Sequence, residues 1–396
     1  MESEYFRIAE VSTNLDYKRI PLSSAQREKR KGVYRYFGAQ GVIDYIDDYI
    51  FDGTYLLIAE DGENLKSNKK NIAQIVKGKF WVNNHAHILQ ANEKSDLRFL
   101  YYAMCNIDIS GYITGSAQPK LSQGNLNNIV LQLPNLETQR SIAATLSSLD
   151  DKIELNNRII ANLEAQAQAI FKSWFVDFEP FLDGEFEESE LGLIPKGWRC
   201  GTFSDLGNIE GGSTPSKSEP SYYCENGIPW ITPRDLSSDK RKFIDRGAND
   251  ITESGLKNSS AKILPAWTVL FSSRAPIGYI TIAKNGVSTN QGFKSVVPFK
   301  EVGTAYVYYY LKQNTDRIIA AANGSTFKEI SGTVLKSLPA LIPEAQILKE
   351  FSAFCETLFK QQAVLEEQNG ILTITRDTLL PKLISGKIEV PVDIKG

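Results

Sequence analysis

The chain repeats itself at an interval of 209 residues. The run Gly115-Ser116-Ala117-Gln118-Pro119-Lys120-Leu121-Ser122, then Leu131-Gln132-Leu133-Pro134, then Glu137-Thr138-Gln139, leads into a long helical pattern. It returns in the same order as Gly324-Ser325-Thr326-Phe327-Lys328-Glu329-Ile330-Ser331, then Ala340-Leu341-Ile342-Pro343, then Glu344-Ala345-Gln346 and a second helical pattern. Earlier landmarks drift by a few residues: Thr54-Tyr-Leu-Leu matches Thr268-Val-Leu-Phe, and Asn84-His-Ala-His matches Asn290-Gln-Gly-Phe. A duplicated globular unit plus helix implies a pseudo-two-fold object that would meet a two-part target.

Both helical patterns carry a heptad seam. In the first, Ile142, Leu146, Leu149, Ile153, Asn156, Ile160, Leu163, Ala167, Ile170 and Trp174 step by four and three, with one polar interruption. The second runs Ile347, Phe351, Phe354, Leu358, Gln361, Leu365, Gln368, Leu372, Thr375, Leu379. A seam sustained this long calls for a partner helix, and the simplest partner is the other copy, antiparallel because the repeats are related by a dyad. Each helix would be on the order of 50 Å long. The alternative is that each stripe packs on its own domain.

The fold class is therefore α+β: two globular mixed units separated by two long helices pairing as an antiparallel coiled coil. The boundaries fall at 1–136 and 195–342 for the units, 137–182 and 343–396 for the helical regions, with an acidic linker at 183–194. Asp52-Gly53 and Asp61-Gly62 are expected to be tight turns bracketing a strand from Thr54 to Ala59. Trp267 to Ser272 and Tyr279 to Ala283 should form a hairpin with Arg274 at its tip, and Phe99 to Ala103 and Tyr306 to Leu311 short core-facing helices.

At 396 residues the chain is long enough for two cores, and 42% hydrophobic and 23% charged residues are ordinary for a globular protein. No apolar run reaches the roughly 18 residues of a membrane span, and Met1-Glu-Ser-Glu-Tyr-Phe-Arg is acidic where a signal peptide would be basic, so a cytoplasmic location is expected. Four scattered cysteines suggest neither a disulfide framework nor a metal site. The net charge of −3 hides an uneven distribution: residues 1–130 carry +1, 131–194 carry −8, 195–340 carry +6 and 341–396 carry −2. Any DNA contact should fall on the globular units.

These residues together resemble the specificity subunit of type I restriction-modification systems. The resemblance spans nearly the whole chain and rests on Tyr34-Arg-Tyr-Phe-Gly-Ala-Gln-Gly-Val-Ile-Asp-Tyr-Ile-Asp, Phe51 to Gly62, Trp81-Val-Asn-Asn-His-Ala-His87 and the Gly115 loop. In the second unit it rests on Gly211-Gly-Ser-Thr-Pro215, Ile228-Pro-Trp-Ile231, Thr289-Asn-Gln-Gly-Phe293 and the Gly324 loop. One departure is that the first unit lacks a counterpart of Ile194-Pro-Lys-Gly-Trp198, so its first strand is expected to be shortened.

The resemblance implies two target recognition domains, each reading half of a split site on double-stranded DNA. The helices would hold these domains apart and dock two modification subunits, which use S-adenosylmethionine to methylate adenine. A restriction and translocase subunit would add ATP- and Mg-dependent cleavage. The chain itself would bind no cofactor and no metal. It carries no Asn/Asp-Pro-Pro-aromatic tetrapeptide and no glycine-rich turn suited to S-adenosylmethionine, and Gly211 to Ser218 lacks the glycine before Lys217 that a phosphate loop needs. A self-contained methyltransferase-nuclease and a coiled-coil scaffold are the alternative functions.

Base reading calls for loops bearing side chains that match base-edge donors and acceptors. The candidates are Ser116, Gln118 and Lys120 in the first Gly-Ser loop, and Ser325, Thr326 and Lys328 in the second. Arg234 and Arg274 lie in proline-marked turns; Gln40, Asn290, Gln291, Ser213 and Thr214 complete the set. Serine and threonine beside glycine also satisfy turns without touching DNA. Arg27, Lys29, Arg30 and Lys31 form a basic cluster suited to phosphates or simply to solvent. His85 and His87 sit two apart on an expected strand, as core bracing, a DNA contact or the start of a metal site.

Overall fold

Each half of the chain closes on a two-stranded ribbon built from residues far apart in sequence. The computed structural model describes residues 3–67, 71–115, 118–324 and 328–391, and these fall into two compact units, 1–154 with 370–396 and 155–369. In the first unit β1 (Ser3–Arg7) pairs antiparallel with β8 (Val130–Pro134) along its full length, so the expected shortening of that strand is not seen. Alternation decides this: Leu131 and Leu133 turn into the core while Val130 and Gln132 do not.

Between these strands lies a six-stranded sheet of β2 (Ser12–Asn14), β3 (Lys31–Gly38), β4 (Gly41–Ile46), β5 (Phe51–Ala59), β6 (Ala73–Val82) and β7 (Ala86–Ala91), in the order β2-β7-β5-β6-β3-β4. Asp52-Gly53 makes no turn. Gly53 lies inside β5 opposite Gly78 of β6, and these two positive-φ glycines let the ladder continue where two Cβ atoms would face each other. The sheet packs on the helix Leu97–Asn106, whose Phe99, Leu100, Ala103 and Met104 are buried as the aromatic stretch implied.

The second unit opens with a hairpin, β9 (Phe186–Ser189) and β10 (Gly192–Pro195), in the segment expected to be a linker. Gly192, at φ +91°, allows its turn. Next come β11 (Arg199–Thr202), β12 (Gly207–Gly211), β13 (Tyr223–Cys224), β14 (Ile228–Ile231), β15 (Phe243–Ile244), β16 (Asn249–Ile251), β17 (Val269–Ser273), β18 (Ile277–Ala283), β19 (Ser288–Thr289), β20 (Lys294–Pro298) and β21 (Pro339–Ile342). β11 pairs with β21, repeating the closing ribbon. The sheets run β12-β20-β17-β18-β15 and β13-β16-β14-β19. In the first unit a single strand, β6, pairs antiparallel with β5 and then parallel with β3. In the second unit two strands share those pairings, β18 lying antiparallel to β17 and β19 parallel to β14.

A central helix spans Leu136–Phe175 and a C-terminal helix Ala345–Ile384, 40 residues each. In the first unit Ile142 and Leu146 are buried with Leu383, and Leu379 packs against the same core; Leu149, Ile153 and Leu372 are half-buried. Arg376 donates to Asp150 at 2.7 Å, and Tyr102 donates to the other oxygen of that carboxylate at 2.5 Å. In the second unit Ala167, Phe171 and Phe175 share a core with Leu348, Phe351, Cys355 and Phe359. Leu163 and Leu365 are buried; Ile160, Ile170 and Leu358 are half-buried. Asn156, wholly buried, donates to Asn369 at 2.9 Å, and Gln362 donates to the Ile160 carbonyl at 3.2 Å.

The second seam is not the one its heptads imply. Phe354, Gln361, Gln368 and Thr375 are exposed, while Leu348, Cys355, Gln362 and Glu366 are buried. The seven-residue repeat is kept, with Phe351, Leu358, Leu365, Leu372 and Leu379 in the seam as expected, but its other position lies one residue later, at Leu348, Cys355, Gln362, Asn369, Arg376 and Leu383.

A buried ionic cluster ties both helices of this unit to its sheet. The Lys242 ammonium contacts Glu164, donates to Gln362 at 2.9 Å and Tyr309 at 3.0 Å, and lies 4.2 Å from the Phe359 ring centroid. Glu366 accepts the Lys242 and Phe243 amides at 3.0 and 3.1 Å. Burial pushes the Glu164 carboxyl up, but Lys242 and Lys312 outweigh it and hold the group down at about 2. Burial pulls Lys242 below its ordinary value, against the opposing attraction of Glu164.

Glu164→Gln should therefore destabilise the protein by about 3 kcal/mol at neutral pH, less whatever Lys242 regains by shedding its charge. A carboxylate with a depressed pKa contributes fully above its unfolded value near 4.5 and loses that contribution as pH falls toward 2. Denaturant unfolding across pH 2 to 7 should show the wild-type advantage over Glu164→Gln shrinking below about pH 4.5. A gap that stays constant down to pH 2 contradicts the charged pair.

Candidate nucleic-acid interface

Both Gly-Ser loops stand on the same neck. In the first unit Thr114 and Lys120 exchange two backbone hydrogen bonds at 2.8 Å, and the Leu121 amide donates to the Glu60 carbonyl at the end of β5 at 2.8 Å. In the second, Asn323 and Glu329 exchange bonds of 3.1 and 2.9 Å, and the Ile330 amide donates to the Ser273 carbonyl at the end of β17 at 3.1 Å. Gly115 (φ +85°) and Gly324 (φ +109°) leave each neck through left-handed backbone. A Cβ on Gly115 would sit 2.2 Å from the Gln118 carbonyl oxygen, so only glycine fits.

A second frame is shared beside each loop. The Asn83 amide donates to the Phe37 carbonyl where β6 leaves β3, and the Asn290 amide donates to the Ile231 carbonyl where β19 leaves β14, both at 3.0 Å. Each asparagine then accepts the amide two residues on, from His85 at 2.8 Å and from Gly292 at 2.9 Å. This corrects the alignment by one residue: Asn83 matches Asn290, and Asn84 matches Gln291. Asn290 is thereby a turn-bracing residue. The exposed Asn84, absent from the sequence candidates, takes the place of Gln291; anchoring the alignment on the Asx-turn residue would have found it.

Around the first loop, Gln40 at the β3–β4 turn is exposed and donates to Asn64 at 3.2 Å, and the Gly62 amide donates to the Pro119 carbonyl at 3.3 Å. Lys120 pairs with Glu60 at 3.1 Å, and Glu60 with Arg19 at 2.7 Å. The two histidines do not share a strand face. His85 sits in the turn before β7, exposed and 2.6 Å from Asp61, while His87 is buried. Its Nδ1 lies 2.6 Å from Asp16, and its Nε2 lies 2.8 Å from the Leu121 carbonyl, bracing the loop's return strand. Burial raises the Asp16 carboxyl, but bonds from His87 and the Ile88 amide bring it below its ordinary value. Among the described residues no cluster of metal-ligand type occurs. Gln118 is exposed; Ser116 lies outside the described residues.

Around the second loop, Arg274 tips the β17–β18 hairpin and pairs with Glu329 at 3.4 Å. A cleft of about 620 Å³ lies between that tip and Lys328, Glu329 and Ile319. The Ser273 amide donates to the Gly292 carbonyl at 2.7 Å, which brings the Asn290-Gln291 turn to the same end. Thr214 donates to Gln291, and the Ser213 amide donates to the Thr289 carbonyl at 2.9 Å, so the glycine-rich stretch is used as sheet edge and not as a phosphate cradle. Arg234 lies in the first turn of the helix Pro233–Ser238 and not in an irregular turn. Lys294, absent from the sequence candidates, joins the group half-buried, its pKa lowered by burial. Ser325 and Thr326 lie outside the described residues.

The basic cluster is elsewhere and largely neutralised. Arg27 pairs with Asp44 at 3.0 Å, Arg30 with Asp47 at 2.8 Å, and Lys31 with Asp44 at 2.9 Å; hydrogen bonds from Lys31 and the Tyr45 amide hold Asp44 at about 2. Lys29 is the exposed member with no ion pair among the described residues. Among those residues, too, no helix is long and apolar enough to cross a membrane.

The model of the type I restriction modification DNA specificity domain matches this chain twice, over residues 1–165 and 195–373. Over 192 residues the chain is 41% identical to the type I restriction enzyme MjaIX specificity subunit of Methanocaldococcus jannaschii, which covers 46% of this chain and 44% of that one. The chain thus spans less than half of the archaeal relative. Over 404 residues it is 26% identical to the HindI specificity subunit of Haemophilus influenzae, covering 85% and 84%. The crystal structure of the type I restriction-modification S subunit from M. genitalium shares the fold, with a TM-score of 0.67 at 16% identity over 97% and 96% of the two chains.

Gly115→Ala should strain the first neck by about 2 kcal/mol or more. Amide exchange at Thr114 and Lys120 should speed up at least about tenfold with global stability little changed, whereas Gly111→Ala, whose added Cβ meets nothing within 4 Å, should leave exchange unaltered. Unaltered protection in Gly115→Ala removes the strained neck from consideration.

Proposed function

This chain belongs to the type I restriction modification DNA specificity family, and we propose that it reads a bipartite site on double-stranded DNA, one half-site with the loop end of each unit. The observation that carries this reading is that one backbone frame presents two different side-chain sets. Asn84, Asp61 and Lys120 in the first unit stand where Gln291, Arg274 and Glu329 stand in the second. A duplicated scaffold with exchanged chemistry suits two unlike half-sites, because base edges are distinguished by donor and acceptor pattern.

The two 40-residue helices form an antiparallel coiled coil in this reading, related by the repeat's pseudo-dyad, with residue numbers falling along one helix as they rise along the other. Asn156 paired with Asn369 gives a polar register point, which apolar layers alone would leave free to slip. The recognition domains are 1–136 and 195–342, and the length of helix between them sets the number of unread base pairs. The two helices carry no excess of basic residues, each having a net charge of −1, which suits protein partners better than DNA. Those partners are two modification subunits, which supply S-adenosylmethionine chemistry and extract the target adenine from the stack, and restriction subunits that use ATP and Mg. The chain performs no catalysis itself and works in the cytoplasm.

Removing a matched heptad from both helices should shorten the unread spacer by about three base pairs, because seven residues of helix rise about 10 Å. Mapping N6-methyladenine in cells that co-express the chain with a modification subunit should return the same two half-site sequences at closer spacing. An unaltered spacer in the shortened protein overturns the measuring role. The absence of any bipartite motif in the wild type overturns the reading as a whole.

A further inference from the structure

We infer that Gln40 and Arg234 are corresponding base-reading residues, and that they specify adenine in the half-site of the first unit and guanine in that of the second. The inference rests on the function proposed above and deepens it to one position in each half-site.

Pairing anchors the correspondence at Phe37 and Ile231; the residue three beyond each lies in the β3–β4 turn of the first unit and in the first turn of the helix Pro233–Ser238 of the second. Phe37 faces Val82 across the parallel pair β3–β6, and Ile231 faces Thr289 across the parallel pair β14–β19. In each unit the next residue after the second strand is the asparagine that donates back to that carbonyl. Three residues beyond Phe37 is Gln40; three beyond Ile231 is Arg234. Both are exposed, and both lie at the loop end of their unit. Gln40 does so through Gly62, which bonds Pro119. Arg234 does so through Pro233, which packs against Gly292, whose carbonyl takes the Ser273 amide beside the hairpin tip.

Arg234 is held ready for a ligand and is not spent on the fold. Its neighbour Asp235 is fully engaged: one oxygen accepts the Thr232 amide and hydroxyl at 2.7 and 2.6 Å, the other the Ala248 amide at 2.9 Å. That carboxylate braces the backbone under Arg234 without reaching its guanidinium. Among the described residues Arg234 makes no ion pair and no side-chain hydrogen bond, whereas Arg274 at the same end of the unit is tied to Glu329.

The difference in charge between the two positions separates base from phosphate. Both units would meet the same sugar-phosphate backbone, so a phosphate contact at this shared position would call for a cation in each. One unit has a neutral amide there. Only the bases differ between half-sites, and the two side chains match two of them: a carboxamide pairs with adenine N6 and N7, and a guanidinium with guanine O6 and N7.

The test uses the full chain co-expressed with a modification subunit, with the methylated motif mapped genome-wide for wild type, Arg234→Gln, Arg234→Lys and Gln40→Arg. Arg234→Gln should lose a guanine at one position of one half-site, by roughly ten- to a hundredfold in discrimination, with every other letter kept. Gln40→Arg should change one adenine of the other half-site toward guanine. Arg234→Lys, which keeps the charge but not the fork, should also lose the guanine. All positions are exposed, so thermal midpoints should match the wild type, and a methylated motif in each variant shows that it folds. A wild-type motif that both Arg234→Gln and Gln40→Arg leave unaltered, or uniform weakening in Arg234→Gln rescued by Arg234→Lys, overturns the assignment and leaves the function intact. A wild type with no bipartite motif overturns both.

Discussion

Two 40-residue helices, each with an apolar stripe along one side, impose the constraint that organises this protein. Neither stripe is covered by one unit alone. Each unit instead takes part of both helices into its own core: Ile142, Leu146 and Leu383 in the first, Phe171, Phe175, Phe351 and Phe359 in the second. The last segment of the chain is thereby structurally part of the first domain.

Apolar burial alone would leave each helix free to rotate or slide, and the polar contacts remove that freedom. In the second unit the Lys242 ammonium, enclosed by Glu164, Gln362, Tyr309 and Phe359, accepts one arrangement of both helices against the sheet. In the first, Asp150 receives Tyr102 from the domain and Arg376 from the C-terminal helix. Buried or half-buried charges are weak sources of net stability, but they are costly to mismatch and so select a single register. The loop ends follow the same logic. His87 and Asp16 are spent on fixing the return strand of the first loop, which leaves Gln40, Asn84 and Gln118 exposed around a rigid neck.

The fold also changes what the charged stretches of the sequence imply. A cluster of four basic residues at 27–31 is a natural phosphate patch by composition, yet three of the four are matched by Asp44 and Asp47 of the adjacent hairpin. Charge density in sequence is a poor guide where a strand pairing brings acids alongside. Arg234, outside any basic cluster, is exposed and makes no ion pair among the described residues.

The repeat, the two helical stripes, the glycine-marked loops and the family resemblance were legible in the amino-acid sequence, because each is a matter of order, spacing or residue type. The C-terminal seam was only half legible: heptad counting put Phe354 and Gln368 inside, while the packed helix exposes them and buries Cys355 and Gln362, one residue away from the expected position of the same repeat. Asp52-Gly53 read as a turn because that dipeptide favours one, but a glycine opposite it in β6 kept the strand extended. The equivalence of Asn84 with Gln291 could be decided only by tertiary structure, because it depends on which carbonyl an amide meets across a strand pair. Sequence by itself determined that there are two like units with unlike tips; through-space pairing decided which residues stand at those tips.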